Sequence, residues 1–381
     1  MKAILNYRTH IASSLSEIGQ PAWDGLLARQ GDSNPFLSYA FLHALHESGS
    51  AAPEAGWQPQ YIALYDGEQL AAAMPLYVKD HSYGEYVFDW AWADAYRRHG
   101  LDYYPKLLCA IPFTPVAGPR LLARDDDARA ALIAVLKATQ EATEVSSTHI
   151  LFPPEEHARQ LADAGFLLRS GVQFHWLNQG FASFDDFLAT LEQKKRKNIR
   201  AERRKVLDAG VSLRRVRGVD ALDADWVLFN RCYRHTYAAH YSTPYLNLDF
   251  FRRIGATMPE NILLVIAERA GRPIAASLVI HTADTLYGRY WGELEHVPCL
   301  HFEAAYYQPL EFCIEQGIQV FEGGAQGEHK MARGFLPTRT WSAHWLAHPS
   351  FADAIERFLE REAGGIDEYM SELNERNPFK A

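Results

Sequence analysis

The sequence predicts an α+β protein of two similar domains, each a mixed, mostly antiparallel sheet flanked by helices. Three observations carry this expectation. First, an antiparallel meander is written twice. Tyr61 to Tyr65, a turn with Asp66-Gly67 and a strand from Leu70-Ala71-Ala72 recur as Leu264 to Ala267, a turn with Gly271 and a strand from Ile274-Ala275-Ala276. Without a gap, Gly67 aligns with Gly271 and Tyr83-Gly84 with Tyr287-Gly288. Second, 381 residues with 48% hydrophobic content are long for one core and sufficient for two. Third, helical and extended patterns alternate in both halves, as in layered α+β architectures.

In the first half, the patterning gives helices over about Pro21–Arg29 and Tyr39–Glu47, the second introduced by Asp32-Ser33-Asn34-Pro35. The first meander follows, then an aromatic stretch from Tyr83 to Tyr104, whose alternation fits half-buried strand packing. Ala128–Glu144 reads as a helix, and Thr148–Phe152 and Phe166–Trp176 as strands. The boundary is expected near residue 178, giving domains 1–178 and 179–381. In the second half, Ser183-Phe184-Asp185-Asp186 has the form of an N-cap with an acidic first turn. One helix is expected from there to Ala209, stopped by Gly210 and followed by the strand Val211–Val216. Helices around Trp226–His235 and Asp249–Thr257 precede the second meander. Glu303–Gln316 is a helix, Ile318–Glu322 a strand entering a glycine loop, and Phe351–Leu373 an amphipathic helix.

Composition excludes several classes. Net charge is -9, which disfavours nonspecific DNA binding. Cys109, Cys232, Cys299 and Cys313 lack metal or redox spacing, so they read as buried thiols of a reducing compartment. No His spacing suits a metal. Met1 to Arg8 lacks a sustained apolar core and no run of about 18 apolar residues occurs, so a cytoplasmic protein is expected, with peripheral membrane contact left open. No G-x-S-x-G elbow and no G-x-G-x-x-G after a strand are present.

Three segments carry candidate chemistry. Between Lys194 and Lys205 eight of twelve residues are cationic. On a helix Arg196, Arg200, Arg203 and Arg204 share a face, beside Lys197, and guanidinium forks at that spacing suit phosphates of a substrate or RNA. A solvated helix face fits the same pattern. Gly323-Gly324-Ala325-Gln326-Gly327-Glu328-His329-Lys330-Met331-Ala332-Arg333 follows a predicted strand. Its glycines let a ligand approach the backbone, while Gln326, Glu328, His329, Lys330 and Arg333 supply an amide, proton acceptors and cations. An exposed turn is the simpler account. It is not a phosphate-binding P-loop, because Lys330 is not followed by Ser or Thr. The third segment holds Tyr83, Asp89, Trp90, Trp92 and Asp94, with the counterpart Tyr287, Arg289 and Trp291, and suits a cleft for a sugar or peptide ring.

The run from Lys194 to Val211 resembles the opening of the second domain of the Fem family, peptidoglycan bridge aminoacyl transferases. Ile318 to Phe335, with Gly323-Gly324, Lys330 and Gly334-Phe335, resembles that family's late strand, glycine pair and lysine. Asn34-Pro35-Phe36-Leu37, Ser82 to Trp92 and Gly327-Glu328-His329-Lys330 extend the resemblance over almost the whole chain, to FemAB-like predicted N-acyltransferases associated with peptidoglycan biosynthesis/recognition. The resemblance implies tandem GNAT-like (acyl-CoA N-acyltransferase) domains. It implies no tightly bound cofactor, a cosubstrate that is acyl-CoA or aminoacyl-tRNA, a small-molecule or precursor acceptor, and tRNA as a partner when the donor is charged tRNA. Two features depart from it. Arg252 to Thr257 approaches the [QR]-x-x-G-x-[GA] pyrophosphate loop but fails at Thr257, and there is no room for the long helical hairpin of some Fem enzymes.

The reading is therefore an N-acyltransferase with Lys330 on the oxyanion and Glu328 or His329 taking the amine proton. Arg196, Lys197, Arg200, Arg203, Arg204, Arg289, Gly323, Gly324, Gln326, Gly327 and Arg333 would hold phosphates or substrate. The alternative is a non-catalytic module that recognises a peptidoglycan precursor or a sugar through its aromatic cleft.

Overall fold

The computed structural model describes residues 7–31, 34–325 and 327–380. Met1 to Asn6, Asp32 and Ser33 ahead of the second helix, and Gln326 of the glycine loop lie outside them. The chain forms two compact units. One comprises Met1–Gly171 with Arg339–Glu368, the other Val172–Thr338 with Tyr369–Ala381.

In the first unit, strands Arg8–Ala12, Tyr61–Asp66 and Gln69–Met74 pair antiparallel in that order. Asp66 faces Gln69 across a two-residue loop in which Gly67 has φ +59°. Beyond Pro75 the chain continues as Leu76–Lys79, which pairs antiparallel with Lys106–Cys109. That strand lies parallel to Ser147–Leu151, whose other neighbour is residues 342–346 of Leu336–Leu346. Helices Gln20–Leu27, Tyr39–Glu47 and Asp126–Thr143 form as patterned. Ser38 and Asp125 cap the last two by accepting from Phe41 N–H (3.2 Å) and Ala128 N–H (2.8 Å). Ile62, Leu64, Met74, Leu107, Leu132, Leu136 and Ile150 pack into the core between sheet and helix.

The second unit repeats this order. Val211–Arg217, Ile262–Arg269, Arg272–His281 and Thr285–Glu293 form an antiparallel meander. Ala270 and Gly271 both have positive φ in its two-residue turn, the geometry of a type I′ hairpin. Thr285–Tyr287 then runs parallel to Val320–Glu322, which pairs antiparallel with residues 175–177. Helices Asp223–Ala239 and Leu248–Thr257 follow the first strand. Gly292 permits the closest approach of helix to sheet, because a Cβ there would lie 2.1 Å from the Cys232 carbonyl oxygen.

Several expectations change. The sheet of each unit is completed by a strand from the other half of the sequence, so one cut at 178 does not describe the division: residues 172–177 belong to the second unit and 339–368 to the first. Tyr83-Gly84 and Tyr287-Gly288 are not structural counterparts. Tyr83-Gly84 forms a turn, whereas Tyr287-Gly288 lies within a strand. The aromatic stretch holds a helix, Trp90–Arg98, because Trp92 and Tyr96 are buried at i, i+4 while positions 90, 94, 97 and 98 face outward. The single helix expected from Ser183 to Ala209 is two, Phe184–Thr190 and Gln193–Asp208. Between them the buried Leu191 is extended and bridges to Phe379, and the Glu192 N–H donates to the Pro378 carbonyl.

The exchange of strands makes a prediction. A fragment of residues 1–178 leaves the Ser147–Leu151 edge unpaired. It should aggregate or lack dispersed amide resonances, whereas residues 1–171 joined through a Gly-Ser linker to 339–368 should be monodisperse and folded. A well-folded 1–178 fragment would contradict the exchange.

Candidate active site

The second unit's sheet opens at the end of its parallel pair. Register between Arg272–His281 and Thr285–Glu293 shifts so that Val279 faces Gly288 and Leu278 faces Tyr290, leaving Arg289 as an extra residue. Such a bulge bends its strand. Pairing with Val320–Glu322 stops at Tyr287, and the paired strand continues as Gly323-Gly324, with Gly324 at φ +88°. A side chain at Gly323 would press on the Phe335 ring at 3.0 Å and on the Lys330 stem at 3.1 Å. The opening holds a cavity of about 80 Å³ lined by Gly288, Arg289, Trp291, His301, Tyr306 and Gly323, among others.

Lys330 rises toward this strand end from the short 3-10 helix Glu328–Arg333. Its side chain is buried, and its ammonium donates to the Gly324 carbonyl at 2.8 Å. Among the described residues no carboxylate pairs with it. Desolvation lowers its pKa from 10.5 to about 8. Three histidines share its field and are held toward the neutral form, mainly by burial: His175 and His301, both at about 4, and His329. His175 faces Glu322 across the strand pair, and the His301 ring centroid lies 5.4 Å from Trp291 and 5.6 Å from Tyr306.

The helix Leu300–Gln316 contains a π-helical segment, Glu303–Tyr307. Its Ala304 carbonyl accepts from Ser277 Oγ at 2.7 Å, and the wider turn presents Glu303, Tyr306 and Tyr307 to three different partners. Neither this segment nor the roles of His175 and His301 were read from sequence. Both histidines lie far along the chain from Lys330, and only tertiary structure brings them into its field.

Other expected site residues have structural employment. All three guanidinium nitrogens of Arg333 are engaged: Nε donates to Tyr307 Oη (3.0 Å), Nη1 to the His329 carbonyl (2.8 Å) and Nη2 to Glu202 (2.9 Å). Tyr307 also donates to Glu202, and the guanidinium carbon lies 3.4 Å from the Phe302 ring centroid. Arg333 therefore fixes the short helix that carries Lys330. Glu328 accepts from Tyr369 (2.8 Å) and pairs with Arg376 (3.0 Å). The first of these contacts, with the charge of Arg376, lowers its pKa, which weakens it as a proton acceptor. His329 keeps a long contact to Tyr306 Oη, 3.5 Å, and Gly327, at φ +115°, passes against its ring.

The basic helix is Gln193–Asp208. Arg203 forks onto Glu303 at 3.0 and 2.9 Å and reaches Glu311 at 2.6 Å, so it is an internal strut. Arg200 pairs with Asp185 at 2.8 Å, and Arg196 reaches the Leu191 carbonyl at 3.5 Å. Lys197 and Arg204 are exposed. A groove of about 500 Å³ beside the helix presents Arg200, Arg203 and Arg204 against Asp185, Glu303 and Glu311. The charges lining the groove balance, and of the expected phosphate-binding residues Arg200 and Arg203 are paired with the protein's own acids, while Lys197 and Arg204 stay exposed. Arg289 lines the cavity and donates to Tyr290 Oη at 3.1 Å.

The aromatic cleft residues divide between the units: Tyr83, Asp89, Trp90, Trp92 and Asp94 belong to the first, Tyr287 and Trp291 to the second. Asp89 is buried on Lys106 (2.5 Å), Trp92 packs edge-on to His344, and Tyr287 is a buried strand residue. Trp291 lines the Lys330-side cavity.

The pattern of a bulged strand, a glycine pair and a buried lysine can be set beside known proteins. A family described as FemAB-like, peptidoglycan biosynthesis/recognition, matches residues 14–381. The chain belongs to the FemAB-like family. No curated protein sequence matches it. Among solved structures, FemX is similar over 92% of this chain and all of its own, at 12% identity and a TM-score of 0.56. The C-terminal domain of a putative lysylphosphatidylglycerol synthetase from Agrobacterium fabrum aligns over 89% of this chain and 95% of its own, at 9% identity and a TM-score of 0.54. A tandem GNAT protein from the clavulanic acid biosynthesis pathway aligns over 90% and 99%, at 12% identity and a TM-score of 0.47. The expected pair of α+β units, each a mostly antiparallel sheet flanked by helices, is observed, and the fold is shared with FemX. Among the described residues, no helix of this FemAB-like chain is long and apolar enough to cross a membrane.

The first unit of this FemAB-like protein has the same strand order, and the corresponding strand end is covered by a loop. After Leu151 come Phe152-Pro153-Pro154, and the Gly118 N–H donates to the Phe152 carbonyl at 3.1 Å. Arg120, fully buried, donates to the carbonyls of Gly118 (3.0 Å) and Val116 (2.5 Å). Its own loop fills the strand end.

If Arg333 is a strut, Arg333→Met should lower unfolding free energy by about 3 kcal/mol, since it leaves Glu202 and Tyr307 without their cation. Arg204→Met, at an exposed site, should stay within about 0.5 kcal/mol. Urea unfolding of both variants checks this, and equal effects would remove the assigned role.

Proposed function

We propose that this FemAB-like protein is an N-acyltransferase whose chemistry occurs at the opened strand end of its second unit. The observation that carries this reading is Lys330, a buried lysine paired with no carboxylate among the described residues and bonded to the Gly324 carbonyl, next to Gly323 of the cavity wall. In the reaction an amine nitrogen attacks the carbonyl carbon of an activated ester or thioester. The N–C bond forms, negative charge gathers on the carbonyl oxygen, and collapse expels the alcohol or thiol. A desolvated ammonium suits that oxyanion, because it carries charge without a counter-ion that would compete for it. The Gly323 and Gly324 backbone leaves room for the acyl group to approach. The amine proton passes to a neutral imidazole, for which His329 and His301 are the candidates, and then to the leaving group.

Family membership and the fold shared with FemX support the same reaction class. The donor is an acyl-CoA or an aminoacyl-tRNA, and the acceptor an amine on a cell-wall or nucleotide-linked precursor. The balanced charges beside the basic helix favour a donor held chiefly by contacts at the strand end over one gripped along its phosphates.

Lys330→Ala should reduce transfer by about 10²–10³-fold in kcat while leaving the fold intact, as for loss of one oxyanion donor. Product formation with each donor class, read by mass spectrometry, checks it, and undiminished transfer would remove Lys330 from the mechanism. The pH dependence has a definite sign. The cationic form is lost as pH rises through about 8, so the rate should fall on that alkaline limb. Between about 8 and 10.5 the unfolded lysine binds more proton than the folded one, so this group's contribution to stability rises with pH and unfolding through Lys330 does not explain the loss. A rate that climbs above pH 8 would instead make Lys330 the base.

A further inference from the structure

The first unit contains a cavity of about 420 Å³ that acyl transfer does not use. It is lined by Trp90, Ala93, Asp94 and Arg97 of the helix Trp90–Arg98 and by Leu101, Asp102, Tyr103 and Tyr104. Positions 90, 93, 94 and 97 follow the i, i+3, i+4, i+7 spacing of one helix face, opposite the buried Trp92 and Tyr96. That outward face carries an indole that is 44% exposed, set edge-on to Tyr83, which is 58% exposed, with ring centroids 5.2 Å apart. Leaving two such rings in water is unfavourable unless something covers them.

The floor is held rigid by buried ions. The Lys106 ammonium, fully buried, donates to Ser82 Oγ (2.8 Å), Glu85 (2.8 Å) and Asp89 (2.5 Å). Tyr103 Oη donates to Asp89 at 2.7 Å, and Tyr104 Oη shares a hydrogen bond with Ser82 at 2.8 Å. Behind Tyr103 stand His149 (3.0 Å from its oxygen) and His344, whose Nδ1 lies 2.7 Å from that of His149. Burying such a cluster carries a large desolvation cost. Its contacts join the segments that shape the cavity: the turn before the helix, the helix start at Asp89, and Tyr103-Tyr104. A rigid aromatic surface is thereby preorganised.

We propose that this cavity binds a neutral or aminated pyranose unit of a saccharide. The flat, C–H-rich face of a sugar ring stacks on Trp90, and its hydroxyl or ammonium groups donate to carboxylates at the rim. Asp102 is exposed and forms no hydrogen bond or ion pair among the described residues. Asp94 is already taken by Arg97 (2.5 Å) and Arg98. The charge pattern selects against anions: among the described residues that line the cavity, Arg97 is the one cation and is paired with Asp94, so a phosphate or carboxylate ligand meets Asp102 without an unpaired cation to receive it. The site therefore reads the sugar portion of a ligand. It does not rest on acyl transfer being the activity of the second unit.

The test is calorimetric titration of the full chain with chitotriose, an uncharged saccharide, and with UDP-N-acetylglucosamine, an anionic one. Chitotriose should bind in the millimolar range or tighter. Trp90→Ala, an exposed position whose folding is checked by circular dichroism, should weaken it about tenfold, the loss of one good stacking contact. Asp102→Asn should weaken glucosamine-containing chitosan trimers more than chitotriose. Lys330→Ala should leave both affinities unchanged, which separates failure of this site from failure of the transferase reading. No chitotriose binding at millimolar concentration, binding that survives Trp90→Ala, or binding of the nucleotide sugar alone would each overturn the proposal.

Discussion

Tyr287 and Glu322 form the last rung of the second unit's parallel pair, because the extra residue Arg289 turns one strand aside and Gly323-Gly324 lets the other leave. Everything at the candidate active site follows from that parting. It exposes backbone that a regular sheet would have paired, leaves the Gly324 carbonyl to receive Lys330, and creates the cavity into which Trp291, His301 and Tyr306 face. The strut of Glu202, Tyr307 and Arg333 then fixes the short helix carrying Lys330. A lysine there loses solvation without gaining a counter-ion, and its pKa falls to about 8 as a consequence.

The first unit has the same strand order and a different outcome. Its loop between Ala110 and Leu121 is mostly buried, and Arg120 spends its charge on backbone carbonyls where the second unit keeps an opening. Its buried ions are gathered instead around Lys106, Glu85 and Asp89. Desolvation raises the Glu85 pKa to about 7 against the pull of Lys106, whereas hydrogen bonds and the charge of Lys106 hold Asp89 below its usual value despite burial. The two carboxylates thus share one cation unequally. Two units of one topology have separated their polar groups into a buried lysine beside an opened strand end in one and an aromatic, acid-rimmed cavity in the other.

What the sequence disclosed was local. The two hairpins were legible because Gly67 and Gly271 mark turns between apolar strands, and the start of the helix Phe184–Thr190 because the cap Ser183 is followed by acids in the first turn. The helix Trp90–Arg98 was hidden by alternating Trp and Ala or Asp, which imitates a strand. The strand Leu336–Leu346 was not assigned at all: its buried face includes Ser342 and His344, so the inward positions are polar and the usual contrast is lost. Lys330 stood out by its glycine neighbours. Arg333 stood out with it, but the acid that fixes Arg333 did not, since Glu202 lies 131 residues away, and the strand exchange between halves has no sequence mark. The same distance effect hides the acids that pair with part of the basic helix. Glu303 and Glu311, about one hundred residues on from Arg203, pair with that arginine, whereas the linear chain shows it only as part of an unopposed run.

The most direct test of the central claim is the titration of Lys330 itself, followed by NMR of lysine labelled at Cε and Nζ, with Lys330→Arg assigning the resonance. Deprotonation with a midpoint near 8 is predicted, well below the 10.5 of an unperturbed lysine, shifting further when an acyl donor analogue fills the opening. A midpoint at 10.5, unchanged by the analogue, would mean that the ammonium is solvated or paired, and the account of the site would fail.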